Sequence, residues 1–225
     1  FIWEMFTQVL ADASLVFIGN LNQPVETLVQ NSATDLFQPL PKEFDLALLD
    51  RMHFYLPGWE VPKNSKDILT VHYGFVTDYL AEAFRALRKQ NRFDEAERVF
   101  RFGSHVEGRD ATAAKKTVSG LLKILHPGGG WTKEELTEYV ELALEGRRRV
   151  KEQQKRIGAA EFRNTHFSYT LGAEGVEKFV STPELQSQGG IGDEPLECGQ
   201  VWVLSPGGDE EHPGLFRLEV NEGPG

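Results

Sequence analysis

Apolar side chains recur at helical spacing from about residue 68 to residue 157, which commits the middle of this chain to packed helices. Phe75, Tyr79, Leu80, Phe84 and Leu87 fall on one such face, and further helices are expected over 93–101, 109–126 and 132–157. The last of these opens with Thr132 and, three residues on, Glu135, the spacing at which a hydroxyl and a carboxylate satisfy each other's backbone donors. Pro127-Gly-Gly-Gly130 separates the final two helices. A compact all-helical module of three to four helices is the expectation for this stretch.

The flanks read differently. Residues 2–10 suit a short helix or a strand, and Leu15–Ile18 is expected to be a buried strand, because apolar and β-branched residues dominate it and Gly19 follows. The prolines of Phe37-Gln-Pro-Leu-Pro41 interrupt structure. A short helix is predicted over 43–52, with Phe44, Leu46, Leu48 and Leu49 available for packing, and a bend at Leu56-Pro-Gly-Trp59. Beyond Phe162 the helical period disappears, and Gly199–Leu204 with Gly214–Val220 reads as a hairpin around a Gly/Pro-rich loop. Two strands cannot bury a core alone, so the hairpin is expected to be the beginning of something larger. No internal repeat or heptad array is visible.

With 225 residues, 40% of them apolar, the chain has room for one large domain or two small ones. Its formal charge of -10 argues against wrapping nucleic acid with the whole surface, though it leaves room for a local basic patch. The single Cys198 excludes a disulfide framework within the chain and any cysteine-rich zinc site, and the expected compartment is the cytoplasm. The apolar runs at 15–18 and 121–125 fall far short of the about eighteen residues that span a bilayer, so no membrane partner is expected. The start lacks an initiator and a basic leader, as expected of a piece of a longer protein.

The strand reading ends in asparagines, at Gly19-Asn20-Leu21-Asn22, and Leu48-Leu-Asp-Arg-Met-His53 follows some way on. Together they look like the second half of a nucleotide-hydrolysing core, yet no Gly-x-x-x-x-Gly-Lys-Ser/Thr loop occurs to cradle phosphates. An asparagine at a strand end can hold an attacking water, since its amide both donates and accepts; it also suits a turn. Arg51 offers a guanidinium that can neutralise charge on a neighbouring subunit's phosphate, or it pairs locally with Asp50. His53 reads as a partly buried packing residue, and the six histidines show no metal pattern. Lys115 and Lys116 sit on the helix that carries Val118, Leu121, Leu122, Ile124 and Leu125, either projecting toward a nucleotide or simply exposed. Arg147-Arg-Arg149 with Lys151, Lys155 and Arg156 forms a basic stripe that suits phosphate contacts, a solvated face or a subunit contact. Ser168, Ser181, Ser187 and Ser205 lie in no nucleophile context. Trp59, Trp131 and Trp202 suit anchoring rather than stacking.

The segments Leu15–Pro24, Leu48–Pro62 and Lys115–Pro127, together with Tyr73–Glu82 and Arg147–Lys151, resemble the Lon-related AAA+ ATPases of bacterial BREX phage-defence systems, from about residue 12 to 170. The resemblance implies an α/β remnant of an AAA+ core, a helical AAA+ lid and a small C-terminal β segment, mainly α overall. The corresponding domains are 1–62, 63–160, and 161–225 as linker and start of a Lon-like C-terminal domain. It implies Asn22 as the sensor-1 residue, with Asn20 its competitor, Arg51 as the arginine finger, and Lys116, beside Lys115, as the second sensor. Many relatives place arginine at that last position, and lysine supplies the charge without the fork. ATP and Mg2+ are implied for the full-length parent, with neither expected bound by this piece, which is expected to be inactive alone. The implied parent is a homo-oligomer, a hexameric ring, acting on double-stranded DNA or a protein substrate. The alternative is a DNA-binding structural or interaction module without turnover.

Overall fold

In the computed structural model, residues 14–30, 34–106, 108–158, 162–172, 175–186, 202–205 and 217–220 are described. They form a mixed α/β arrangement that is predominantly helical, with α1 (Val25–Gln30), α2 (Leu46–Leu49), α3 (Thr77–Arg88), α4 (Phe93–Ala96), β1 (Phe100–Phe102), α5 (Gly108–Leu125), α6 (Lys133–Ile157), β2 (Ser168–Leu171), β3 (Lys178–Phe179), α7 (Pro183–Gln186), β4 (Trp202–Ser205) and β5 (Arg217–Val220). A 3-10 turn spans Lys66–Ile68.

The main core lies between α5 and the first half of α6. Ala114, Val118 and Leu122 of α5 meet Leu136, Tyr139, Val140, Ala143 and Leu144 of α6, all buried. The i, i+3, i+4, i+7 spacing puts each set on one face, and each fully buried Leu or Val contributes about 1.5–3 kcal/mol. Helix α6 starts where expected: Thr132 Oγ1 accepts from the Glu135 backbone at 3.2 Å, and the Thr132 backbone donates to Glu135 Oε2 at 2.6 Å. It stops at Gly158, whose φ of 108° is a left-handed conformation that suits glycine.

An antiparallel sheet in the order β1-β2-β3 covers the open end of this core, in register Phe100↔Leu171, Arg101↔Thr170 and Phe102↔Tyr169. Phe167 and Tyr169 are buried in the core cluster from beyond residue 160. The helical module is therefore not all helix. Only Phe93–Ala96 of the helix expected over 93–101 forms, and Phe100-Arg101-Phe102 is a strand. Alternation explains the difference: Phe100 is buried, Arg101 is exposed, and the Phe93, Phe100 and Phe102 rings pack within 5.2–6.3 Å of one another.

Two further expectations are corrected. Leu15–Ile18 is neither a strand nor buried, with Ile18 94% exposed. A strand exists by pairing, and no strand lies beside this segment among the described residues; Phe17 instead meets the Phe44 ring at 5.1 Å. Helical structure in the 68–88 region begins only at Thr77, past Gly74, and Phe75, Tyr79 and Phe84 stay exposed rather than buried. The helix expected over 43–52 is the single turn α2, capped by Asp45, whose Oδ1 accepts from the Leu48 backbone at 2.7 Å; Leu49 is buried, while Leu46 and Leu48 are exposed. The C-terminal hairpin forms as Trp202–Ser205 against Arg217–Val220. Residues 2–10 and the loop of that hairpin lie outside the described residues.

Candidate functional site

The second half of α6 is buried on every side, from Gly146 through Gln154. The basic stripe is therefore internal: Arg147, Arg148, Arg149 and Lys151 are all buried, and neither a solvated face nor a phosphate-binding stripe exists at those positions. Burying such charges costs several kcal/mol per ion unless partners surround them, and here they do. Arg148 donates to Glu152 at 2.6 Å, and Lys155 donates to the same carboxylate at 2.8 Å. Arg149 reaches Glu145 at 2.7 Å, Glu60 at 2.8 Å and Glu184 at 3.4 Å. Arg156 donates to the carbonyls of Leu28, Val29 and Thr34. Gln153 Oε1 accepts from the Leu36 backbone at 2.8 Å. Residues 28–29 and 34–60 thus lie along α6 and are tied to it by polar bonds.

The tightest tie is at Asp50. Its carboxylate accepts from Lys151 at 2.6 Å, Arg109 at 2.6 Å and Arg147 at 2.9 Å, while Asp110 accepts from Arg147 at 2.6 Å. Three cations face two carboxylates, and the surplus charge is tolerable because the Arg109 side chain is 55% exposed. Burial alone would raise the Asp50 carboxyl, but the bonds from Lys151 and Arg109 and the charges of Lys151 and Arg147 outweigh it and hold the group below its ordinary range.

This network decides the position of Arg51. Because Asp50 is engaged by α5 and α6, the local Asp50–Arg51 pair does not form. Arg51 is exposed, and its Nη1 donates to the Ala47 carbonyl at 2.5 Å. Close by, Tyr55 N donates to the Gly146 carbonyl at 3.0 Å, and the Phe54 ring lies 2.1 Å from where a Cβ on Gly146 would stand. Only glycine permits this approach.

Lys116 is exposed on α5; the His53 pKa is lowered first by desolvation and then by the charges of Lys116 and Arg147. Lys115 is committed to its own surface, donating to Glu97 at 2.9 Å and lying 5.0 Å above the Phe93 ring. Asn20 and Asn22 are exposed on the coil before α1, with no hydrogen bond to Arg51, Lys115 or Lys116 among the described residues. Ser168 is buried, and its hydroxyl donates to Glu177 at 2.6 Å. Among the described residues no group of three or more His, Cys, Asp and Glu side chains suits a metal ion, and no helix is long and apolar enough to cross a membrane. Sequence reasoning missed Arg109, Asp110, Gly146 and Glu60. The Glu145–Arg149 and Arg148–Glu152 pairs were signalled by i, i+4 spacing, whereas the links to Asp50 and Glu60 have no local signature.

Comparison with known proteins places this architecture in the AAA+ class of ATPase domains. The chain belongs to the family described as "Lon-like protease BrxL-like, ATPase domain", whose model matches residues 5–168. It is 50% identical over 215 residues to the Lon-like protease BrxL of Bacillus cereus (strain H3081.97), covering 93% of this chain and 31% of that protein. It is 47% identical over 213 residues to the Lon-like protease BrxL of Escherichia coli O9:H4 (strain HS), covering 92% of this chain and 30% of that protein. The chain thus spans under a third of the length of the curated relatives it matches.

Proposed function

We propose that this chain is the sensor, arginine-finger and lid portion of a Lon-type AAA+ protein that couples ATP hydrolysis to proteolysis or remodelling of protein or DNA complexes in phage defence. The observation that carries the reading is the exposed Arg51 guanidinium, freed from Asp50 because buried cations hold that carboxylate. In a homo-oligomeric, hexameric ring, Arg51 reaches the ATP of the adjacent subunit and offsets charge developing on the transferred phosphoryl group. Asn22, or Asn20 in its place, orients the attacking water through its amide, and Lys116 senses the phosphate as a point charge. Among the described residues no group of three or more His, Cys, Asp and Glu side chains gathers to hold a metal ion, and the sequence has no Gly-x-x-x-x-Gly-Lys-Ser/Thr loop. No step is therefore assigned to the metal, and the phosphate cradle belongs to other parts of the longer protein.

The alternative of a DNA-binding structural module is weakened because Arg147, Arg148, Arg149 and Lys151 of its motivating stripe are buried. Double-stranded DNA or a protein substrate would be engaged by other surfaces of the whole protein. The test is ATP turnover by the full-length protein with Arg51→Ala, alone and mixed with wild-type subunits, under conditions that confirm assembly. The expected result is loss of turnover in the assembled variant and partial recovery on mixing; normal turnover in the variant would sink the assignment.

A further inference from the structure

One buried side chain grips the backbone on both sides of Arg51. Arg147 Nη2 donates to the Asp50 carbonyl at 3.0 Å and to Asp50 Oδ1 at 2.9 Å, and its Nη1 donates to the Met52 carbonyl. Its Nε is held from behind by Asp110 Oδ1 at 2.6 Å. With an exposure of 0%, the Arg147 guanidinium cannot turn without breaking these bonds. The carbonyls of 50 and 52 and the carboxylate of 50 therefore all point inward, while the Arg51 side chain is exposed. The four-residue α2 supplies little rigidity of its own, because one turn is below the length at which a helix is stable unaided.

We propose that Arg147 is a positioning residue for Arg51, so that α6 of the helical module sets where the finger points. The proposal rests on the reading of Arg51 as an arginine finger. A planar guanidinium is needed for the task, because it alone can serve two carbonyls and two carboxylates from one fixed plane. Lysine at this position keeps the charge opposite Asp110 but offers a single nitrogen.

The test uses the full-length protein as wild type, Arg51→Ala, Arg147→Lys and the double variant, each confirmed as assembled, with kcat and KM measured for ATP. Arg147→Lys is expected to lower kcat by about tenfold or more with KM within about twofold, since a displaced finger removes an interaction made mainly in the transition state. In the Arg51→Ala background the same change is expected to add nothing, because both variants disable one device. If Arg51→Ala loses turnover while Arg147→Lys keeps it, the positioning role is overturned and the finger reading stands. An equal lowering of kcat by Arg147→Lys in both backgrounds overturns the positioning role in the same way. If Arg51→Ala keeps normal turnover, the finger reading fails and the positioning role fails with it. Should Arg147→Lys not assemble, Asp110→Asn, which weakens the grip from behind, is carried through the same cycle and judged by the same outcomes.

Discussion

Asp50 and Arg51 are adjacent in sequence and opposite in fate, one drawn into the interior by three cations and the other left at the surface. Asp50→Asn is expected to destabilise the chain by about 3 kcal/mol, because it strips the charge from one side of a buried network; denaturant midpoints check this. The acid limb of the stability profile should change too. A carboxyl held below its ordinary range adds stability that is full above the unfolded value of about 4 and is lost as the pH falls toward its folded value. The Asn variant should therefore show a shallower loss of stability below about pH 4. Gly146→Ala is expected to cost about 1–3 kcal/mol by forcing the Phe54 ring aside, despite alanine's better helix propensity. Of these residues, Arg51 was singled out in sequence by the motif that its neighbours form. Arg147 was legible only as a charge, since nothing in its spacing reveals a partner ninety-seven residues away.

Helix α6 has two halves with different adhesives, an apolar face over Leu136–Leu144 and a ring of buried ion pairs over 146–154. Its beginning was readable from the Thr132/Glu135 spacing, because caps are local chemistry. Thr132→Ala should cost about 1 kcal/mol, seen as a lowered denaturation midpoint, by leaving first-turn amides without their acceptor. The elements that sequence periodicity misplaced are those fixed by distant partners. β1 exists because β2 pairs with it across some seventy residues, and Leu15–Ile18 is not a strand because nothing described pairs with it. The apolar spacing of α3 was real, but only part of its face is covered: Leu80, Ala83 and Leu87 are half-buried where α3 meets α5, while Tyr79 and Phe84 stay exposed.

At the scale of the molecule, α6 acts as a mast. Its first half packs on α5 and the sheet, and its second half is bonded to Leu28, Leu36 and the 45–60 stretch that carries Arg51. The family was legible from clustered motifs, and a mainly helical α/β fold followed from it. The inward orientation of the basic stripe was not legible, because a run of arginines reads the same whether it faces solvent or buried carboxylates. That inward orientation is the claim on which the placement of Arg51 depends, and lysine labelling of the native protein tests it most directly. Lys66 is exposed, whereas the Lys151 side chain is 4% exposed and bonded to Asp50. Mass spectrometry after brief acylation should find Lys66 modified and Lys151 protected until the protein unfolds; modification of Lys151 in the native protein as fast as Lys66 would contradict the account.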